Sequence, residues 1–236
     1  MLQNYLKVII RNIFRQKGYS IINLMGLAVG MSSCIMIMLY VQDEFKYDKY
    51  VEYPDRVYRI ITDFGAGDRG NVSTARSAPP WAPVLATEFP EIENYVRLKS
   101  PLVSWMVSYQ PNNLKFHEKG FYFADDTVFD FFNINMVRGD PATALKEPST
   151  VVLSQAMARK YFGNEDPIGK VMSLDNSYDF RVTGIMEEIP KNSHFHCEFL
   201  ASFSTLYTVE NGPYGQNYGN DMQQQFFPDL YTYVRL

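Results

Sequence analysis

The stretch from residue 18 to residue 42 carries no charged side chain. Most of its residues are Ile, Leu, Met, Val and Ala, and only a few small or polar residues interrupt them. At about 1.5 Å of rise per helical residue, the stretch is long enough to cross the roughly 30 Å of hydrocarbon in a bilayer. The sequence therefore predicts a transmembrane helix over residues 18–42.

The charges on either side of this helix predict its orientation. Residues 1–17 contain no acidic residue and four basic ones, Lys7, Arg11, Arg15 and Lys17, whereas acidic residues begin directly after the helix. Because basic flanks stay on the cytoplasmic side, we expect the N-terminus in the cytoplasm and residues 43–236 outside, which means the periplasm and a bacterial inner membrane if the cell has two membranes. The apolar run exceeds the roughly 7–15 residues of a signal peptide and no A-x-A-like site follows it, which favours a retained anchor.

Residues 1–17 have the pattern of a basic amphipathic helix. Apolar residues recur at intervals of three and four, while Lys7, Arg11 and Arg15 form a stripe at i, i+4 and i+8. We expect this helix to lie along the inner membrane surface in contact with lipid. The simpler interpretation, a topology signal with a helical face, is compatible with the first.

Small residues form a ridge on the predicted span. Gly26 and Gly30 make a G-x-x-x-G pair, and Cys34 continues the ridge four residues later. Small residues at this spacing let a second helix approach closely. The pattern predicts packing of this helix in a bundle, although Gly is common in membrane helices in any case.

The outer residues, 43–236, mix strand and helix patterns. Helical spacing occurs at residues 81–89, 126–132 and 154–162, the last with Ser154 as N-cap. Since no regular strand–helix repeat is present, we expect an α+β fold and not a doubly wound sheet. Residues 211–225 have the composition of a long loop. The predicted strands cover residues 57–64, 92–98, 102–109, 114–117, 121–124, 150–153, 171–174, 180–189 and 226–234.

Charge and cysteine content exclude some classes of function. The net charge of −4 combines four basic residues before the span with 18 basic and 26 acidic residues after it. An acidic outer part argues against binding of nucleic acid, which needs basic clusters. The two cysteines, Cys34 in the span and Cys197 far outside, give no disulfide framework.

The sequence contains no motif typical of an enzyme or of a cofactor site. Residues 163–171 resemble a phosphate-binding loop but have the wrong glycine spacing and lack the Ser or Thr that would hold magnesium. Ser154 is better explained as a helix cap than as a nucleophile. The adjacent acids at 125–126 and 187–188 diverge on any regular backbone and do not predict a carboxylate dyad.

A metal site is considered at His194, His196 and Cys197. Imidazole and thiolate are suitable ligands for zinc or copper. On a strand, however, Cys197 would point away from the two histidines. A polar loop followed by a buried cysteine is the simpler interpretation. We therefore predict no catalytic, cofactor or metal site on this chain.

A series of motifs resembles one transporter family. Each is weak alone, but their order and separation along the chain are specific, and together they cover nearly all of it. The chain resembles the MacB/FtsX-type ABC transporter permease family, specifically its first transmembrane helix and MacB-like periplasmic core domain. The motifs are Asn-Leu-Met-Gly-Leu-Ala-Val-Gly at residues 23–30, Tyr-Asp at 47–48, Pro-Asp-Arg-Val-Tyr-Arg at 54–59, Ser-Ala-Pro-Pro at 77–80, Phe-Pro-Glu-Ile-Glu at 89–93, Leu-Ser at 153–154, Tyr-Phe-Gly at 161–163, Asp-Pro-Ile-Gly-Lys at 166–170, Val-Thr-Gly-Ile at 182–185 and Ile-Pro-Lys-Asn-Ser-His at 189–194.

The most specific motifs are consistent with turn chemistry. Pro and Gly in such positions reverse the chain or end a strand. We expect them to shape the fold without touching a ligand. The residues concerned are Asp166, Pro167, Ile168, Gly169, Lys170, Pro190, Asn192, Ser193 and His194.

The resemblance implies a permease subunit that is not itself an enzyme. Such permeases work with a partner ABC ATPase, which holds the ATP and magnesium, and they form a homodimer or pair with a second permease. They are thought to transmit ATP-driven motion to the outer domain, which serves efflux, release of lipoproteins or control of cell-wall hydrolases through a periplasmic or outer-membrane partner. This chain stops at Leu236 without the later spans of that pattern, so we expect a fragment with a C-terminally incomplete outer domain.

Two other functions stay open from the residues alone. One is a single-span, membrane-anchored sensor or ligand-binding module with an extracytoplasmic α+β domain. The other is a membrane-tethered hydrolase. Three further apolar spans downstream would favour the permease over both.

Overall fold

The computed structural model describes residues 11, 15–46, 51, 53–65, 71–100, 104–190, 192–208 and 229–236. The chain divides into two compact units, Met1–Tyr47 and Asp48–Leu236, which we describe separately. Most of the amphipathic helix predicted over residues 1–17 lies outside the described residues, as does the loop predicted over 211–225.

The first unit contains helix α1, Lys17–Glu44. The 28-residue helix has a mean hydropathy of 2.1 over its most apolar window, and none of its residues is buried within the unit. By length and composition it can cross a membrane. It contains the whole of the span predicted over residues 18–42.

The second unit, the outer domain, is built on a mixed sheet flanked by short helices. Its described helices are α2 (Trp81–Glu88), α3 (Val128–Phe131), α4 (Gln155–Phe162) and α5 (Thr205–Thr208). Its described strands are β1 (Val57–Arg59), β2 (Thr62–Gly65), β3 (Asn71–Thr74), β4 (Asn94–Lys99), β5 (Trp105–Tyr109), β6 (Leu114–Glu118), β7 (Phe121–Ala124), β8 (Met136–Arg138), β9 (Thr150–Ser154), β10 (Val171–Leu174), β11 (Tyr178–Met186), β12 (Phe199–Ser202) and β13 (Tyr231–Arg235).

The strand order of the main sheet is β1-β13-β4-β7-β12-β9-β11-β10-β5-β6, with β8 beside the end of β11. Two neighbouring pairs, β7 with β12 and β9 with β11, are parallel, and the other pairs are antiparallel. Strands β2 and β3 form a separate antiparallel hairpin. This mixed arrangement confirms the predicted α+β class.

Two apolar cores lie on opposite faces of the sheet, because successive side chains of a strand point to opposite faces. On β9, Val151 and Leu153 belong to one core and Val152 to the other. The first core includes Tyr161 and Phe162 of α4. The second packs against α3 and the loops on that side.

The predicted helices and strands agree best with the structure where the sequence pattern involves only neighbouring residues. Helix α4 begins after Ser154, whose Oγ accepts a hydrogen bond from the backbone N of Met157 at 3.3 Å, which confirms the predicted cap. The single strand predicted over residues 57–64 is wrong, because β1 joins the main sheet and β2 pairs with β3 instead. Helix α3 is shorter than predicted, and β3, β8, β12 and α5 were not predicted.

Candidate functional site

The Asp-Pro-Ile-Gly-Lys motif forms a tight turn before β10. Asp166 accepts hydrogen bonds at 2.8 Å from each terminal nitrogen of Arg138 and at 3.0 Å from the backbone N of Ile168. These bonds lower the pKa of Asp166. Gly169 has a φ of +80°, and its N donates to the carbonyl of Val182 at 2.8 Å. The turn is thereby tied to both β8 and β11.

The remaining residues of this motif also contact the protein itself. Lys170 pairs with Glu165 and lies 5.8 Å from the ring centre of Tyr109 and 5.5 Å from that of Phe162. Its backbone N donates to the carbonyl of Pro167 at 3.1 Å. These contacts hold the motif against β5, α4 and the turn itself, and its role without a ligand stays a prediction.

Gly184 of the Val-Thr-Gly-Ile motif allows β8 to approach β11. A Cβ at Gly184 would lie 2.2 Å from the Cε of Met136 and 3.1 Å from the carbonyl of Arg138. On the other side of the close approach, Gly139 has a φ of +91°, and a Cβ there would lie 2.6 Å from the carbonyl of Thr183. Glycine is the residue that tolerates this crossing.

The Pro-x-Asn-Ser-His motif brings His194 to the far end of the sheet. The backbone N of Ser193 donates to the carbonyl of Pro190 at 3.1 Å, and its buried Oγ accepts from the N of Phe195 at 3.4 Å. The neighbouring Asn192 is half-buried. His194 Nε2 shares a hydrogen bond of 2.7 Å with the hydroxyl of Tyr233 on β13.

The metal site considered at residues 194–197 has no support in the described part of the chain. His196 is exposed, whereas Cys197 is buried, as the simpler interpretation predicts. Burial raises the pKa of the Cys197 thiol, so the thiolate form that binds metals is disfavoured. Among the described residues, no group of three or more His, Cys, Asp or Glu side chains could hold a metal ion.

His194 and Tyr233 line a pocket of about 340 Å³, which we call the β1–β13 pocket. Its described lining residues are Val51, Pro54, Val57, Arg59, Phe132, His194 and Tyr233. The first four belong to the start of the outer domain, and Tyr233 belongs to its last described strand. The pocket is therefore lined by segments of the domain that are distant in sequence.

The register of β1 on β13 determines how the pocket is built. Arg59 is opposite Tyr233 in the antiparallel pair, and Val57 is opposite Arg235. Residues at alternate positions of a strand share a face, so Val57, Arg59 and Tyr233 lie on the same side. The ring of Phe132 packs edge-on against Tyr233 with 5.2 Å between ring centres.

Further contacts fix the start of the domain to β13. The backbone N of Leu236 donates to the carbonyl of Arg56 at 3.0 Å, and Glu93 N donates to the carbonyl of Arg235 at 2.9 Å. Arg56 Nη2 and Glu93 Oε1 form an ion pair at 2.6 Å. These bonds connect residues 54–59, β13 and the start of β4 along one edge of the main sheet.

A buried ion pair lies next to this edge, on β4. Arg97 donates from Nη2 to Asp125 Oδ1 at 2.8 Å and from Nε to Asp125 Oδ2 at 2.9 Å, and its Nη1 donates to the carbonyl of Pro79. The guanidinium carbon lies 4.2 Å from the ring centre of Phe203. Burial alone would lower the pKa of Arg97, but the hydrogen bonds and the charge of Asp125 raise it.

A second buried carboxylate is found on β6 at the opposite end of the sheet. Glu118 Oε1 accepts hydrogen bonds of 2.7 Å from both Lys160 Nζ and the hydroxyl of Tyr161. Burial, followed by the charge of Glu118, raises the pKa of Glu198. Lys160 opposes this effect by its positive charge.

Replacing Glu198 by Gln is expected to stabilise the protein at pH 8 by less than about 1 kcal/mol, since the group is partly exposed. A carboxyl whose pKa is raised on folding destabilises the fold when ionised, and this penalty shrinks as the pH falls through the folded pKa and is lost below the ordinary value of 4.5. Thermal melting should therefore show a larger gain for the variant at pH 8 than at pH 4.5. The exposed Glu91→Gln variant should show no gain, and an equal gain for both variants would contradict the assignment.

The small-residue ridge of α1 is exposed along its length. A Cβ at Gly26 or Gly30 would meet nothing within 4 Å, and Cys34 is exposed. The packing predicted for this ridge therefore stays a prediction about contacts with another helix.

Replacing Gly26 or Gly30 by Leu is expected to reduce assembly of the chain in membranes, because the added side chain would hold a second helix away. Crosslinking in lipid nanodiscs measures the assembled fraction. Ala28→Leu adds a similar volume on the opposite face of the helix and should leave that fraction unchanged. Equal assembly of the Gly26→Leu, Gly30→Leu and wild-type chains would remove the packing role.

The family model of the MacB-like periplasmic core domain matches residues 20–236. The chain belongs to this family. The match includes most of α1 and all of the outer domain, so this MacB-like chain is a periplasmic domain of the ABC transporter permease family with an N-terminal apolar helix as its membrane anchor. The resemblance inferred from the motifs is confirmed.

Solved structures share the fold of this MacB-like chain. A domain assigned to a permease protein of Porphyromonas gingivalis is 20% identical, with a TM-score of 0.63 over 78% of this chain and 75% of that one. The periplasmic region of MacB from Actinobacillus actinomycetemcomitans is 16% identical, with a TM-score of 0.53 over 80% and 77% of the two chains. The extracellular domain of the noncanonic ABC-type transporter YknZ from Gram-positive bacteria is 14% identical, with a TM-score of 0.50 over 76% and 82%.

Among curated proteins, no match to the chain was found. The three solved structures are 14–20% identical to this chain, so the similarity to them concerns the fold alone. Of the residues that line the β1–β13 pocket, only His194 was a candidate site residue of the sequence, and Val51, Phe132 and Tyr233 belong to no quoted motif. Arg59 belongs to a quoted family motif, but its partner on β13 is far away in the sequence and leaves no local signal.

Proposed function

We propose that the chain is a permease subunit of an ABC transporter whose outer domain moves when a partner ATPase hydrolyses ATP. The observation that carries the proposal is the family match over residues 20–236, which includes an apolar helix and the MacB-like core domain in one chain. ATP and magnesium belong to the partner ATPase in this proposal. Efflux, lipoprotein release and control of a periplasmic partner are the processes it could serve.

The contacts of the outer domain suggest how motion would spread through it. Strand β1 follows α1 by 13 residues and pairs with β13, which pairs in turn with β4. A displacement of the residues before β1 would reach these strands through the ladder hydrogen bonds and the Arg56–Glu93 ion pair. Packed elements transmit such displacements because protein interiors are dense and only slightly compressible.

The basic flank of α1 supports an orientation with the N-terminus in the cytoplasm and the outer domain in the periplasm of a bacterial inner membrane. With this orientation, the ATPase would contact the cytoplasmic side. A homodimer or a second permease would supply the other helices of the bundle.

Purification of the protein from its own membranes tests the proposal. We expect it to copurify with an ATP-binding protein, and we expect crosslinks between outer domains to change when ATP is added. A partner ATPase disabled in hydrolysis serves as the control for motion that needs turnover. Absence of an ATP-binding partner, or crosslinks identical with and without ATP, would contradict the proposal.

The β1–β13 pocket favours a second candidate, a membrane-anchored sensor or ligand-binding module. It is concave, largely apolar and lined by a few polar groups, as small-molecule sites are. If the purification from native membranes yields a signalling protein and no ATPase, the result would favour this candidate.

A further inference from the structure

The β1–β13 pocket combines apolar walls with three polar groups on one side. Val51 and Phe132 are buried, and Val57 continues the apolar wall. The polar residues are Arg59 and the hydrogen-bonded pair His194 and Tyr233. Opposite residues of an antiparallel pair have Cβ atoms about 4.5–5.5 Å apart, so the register places Arg59 close to Tyr233.

Arg59 is the group that gives the pocket its charge preference. No carboxylate of the described residues forms a salt bridge with it, whereas the neighbouring Arg56 pairs with Glu93 and Arg235 pairs with Asp130. The described lining of the pocket contains no Asp or Glu. Within the described lining, the positive charge of Arg59 therefore lies beside an apolar surface without a carboxylate.

We propose that the β1–β13 pocket binds a small organic anion, a carboxylate or sulfonate with a compact apolar body. The guanidinium of Arg59 presents a fork of donors that matches such a head group in geometry and charge. The apolar body would pack against Phe132 and Val57. A cationic ligand of the same shape would face the charge of Arg59 without compensation.

The volume of the pocket sets the size of this ligand. About 340 Å³ lies at the lower end of the roughly 300–1,000 Å³ that small-molecule pockets occupy. An eight-carbon carboxylate is a suitable probe. This inference does not depend on coupling to an ATPase, because it concerns residues of the outer domain alone.

The test is calorimetric titration of the full chain in phosphatidylcholine nanodiscs, with empty nanodiscs as the blank. We expect saturable binding of octanoate and at least about tenfold weaker binding of octylammonium, which has the same chain length and the opposite charge. Arg59→Gln should weaken octanoate binding by about tenfold or more, since a charge-assisted hydrogen bond is lost. Arg181→Gln removes an exposed arginine on β11 and should leave the affinity unchanged.

Three results would overturn the proposal. They are no saturable octanoate binding above the blank, equal affinity for octanoate and octylammonium, and an unchanged affinity in Arg59→Gln. Because Arg59 is exposed, we expect its variant to melt at the wild-type temperature, which separates loss of binding from loss of folding. The assay contains no ATPase, so its failure would leave the proposed transporter function as it stands.

Discussion

Replacing Asp125 by Ala is expected to lower the free energy of unfolding of the outer domain by about 3–5 kcal/mol. The substitution removes both carboxylate oxygens that accept hydrogen bonds from Arg97, whose side chain is 8% exposed, and leaves that charge buried without its counterion. Both tryptophans of the chain, Trp81 and Trp105, lie in the outer domain. Their fluorescence during denaturant unfolding therefore reports on this domain without a contribution from α1.

The pair of Arg138 and Asp166 is a useful control, because it is also bidentate but its side chains are 47% and 57% exposed. We expect Arg138→Gln to change the unfolding midpoint far less than Asp125→Ala does. The double variant Arg97→Met with Asp125→Leu should recover much of the loss, since apolar replacements remove the buried charges together. Equal losses in Asp125→Ala and Arg138→Gln would show that burial of the pair is unimportant.

Replacing Gly139 by Ala is expected to destabilise the outer domain by about 2–4 kcal/mol, which is a large effect for one methyl group. The φ of +91° is unfavourable for any residue with a Cβ, and the new atom would lie 2.6 Å from a backbone oxygen that cannot move without disturbing β11. The same tryptophan fluorescence measures the loss.

Gly169→Ala separates the two causes of the Gly139 effect. Gly169 also has a positive φ, of +80°, but a Cβ there would meet nothing within 4 Å. We expect it to lose about 1 kcal/mol, the conformational cost alone. Comparable losses at both positions would mean that β8 and β11 do not approach as closely as the structure places them.

Sequence patterns predicted the features that depend on neighbouring residues. Ser154 caps α4 within a single turn, and α1 follows from one uncharged, mostly apolar run. The strand predicted over residues 57–64 failed because alternation of side chains does not reveal that the chain leaves the sheet between β1 and β2.

The candidate site was harder to predict than the fold. His194 was assigned to a turn from its motif, but its partner Tyr233 is 39 residues away, and Arg97 is 28 residues from Asp125. Such contacts depend on strand order, which a local pattern does not determine. A Gly that permits close packing, such as Gly184, likewise reveals its reason only when the crossing strand is known.

The pairing of β1 with β13 closes a very long loop. Val57 and Arg235 are opposite partners, 178 positions apart in the sequence, and their Cα atoms lie about 4.5–5.5 Å apart. Closing such a loop costs conformational entropy before the contacts of the ladder compensate for it. We therefore expect the β1–β13 pairing to form late in folding, after strands that are close in sequence, such as β5 and β6, have paired.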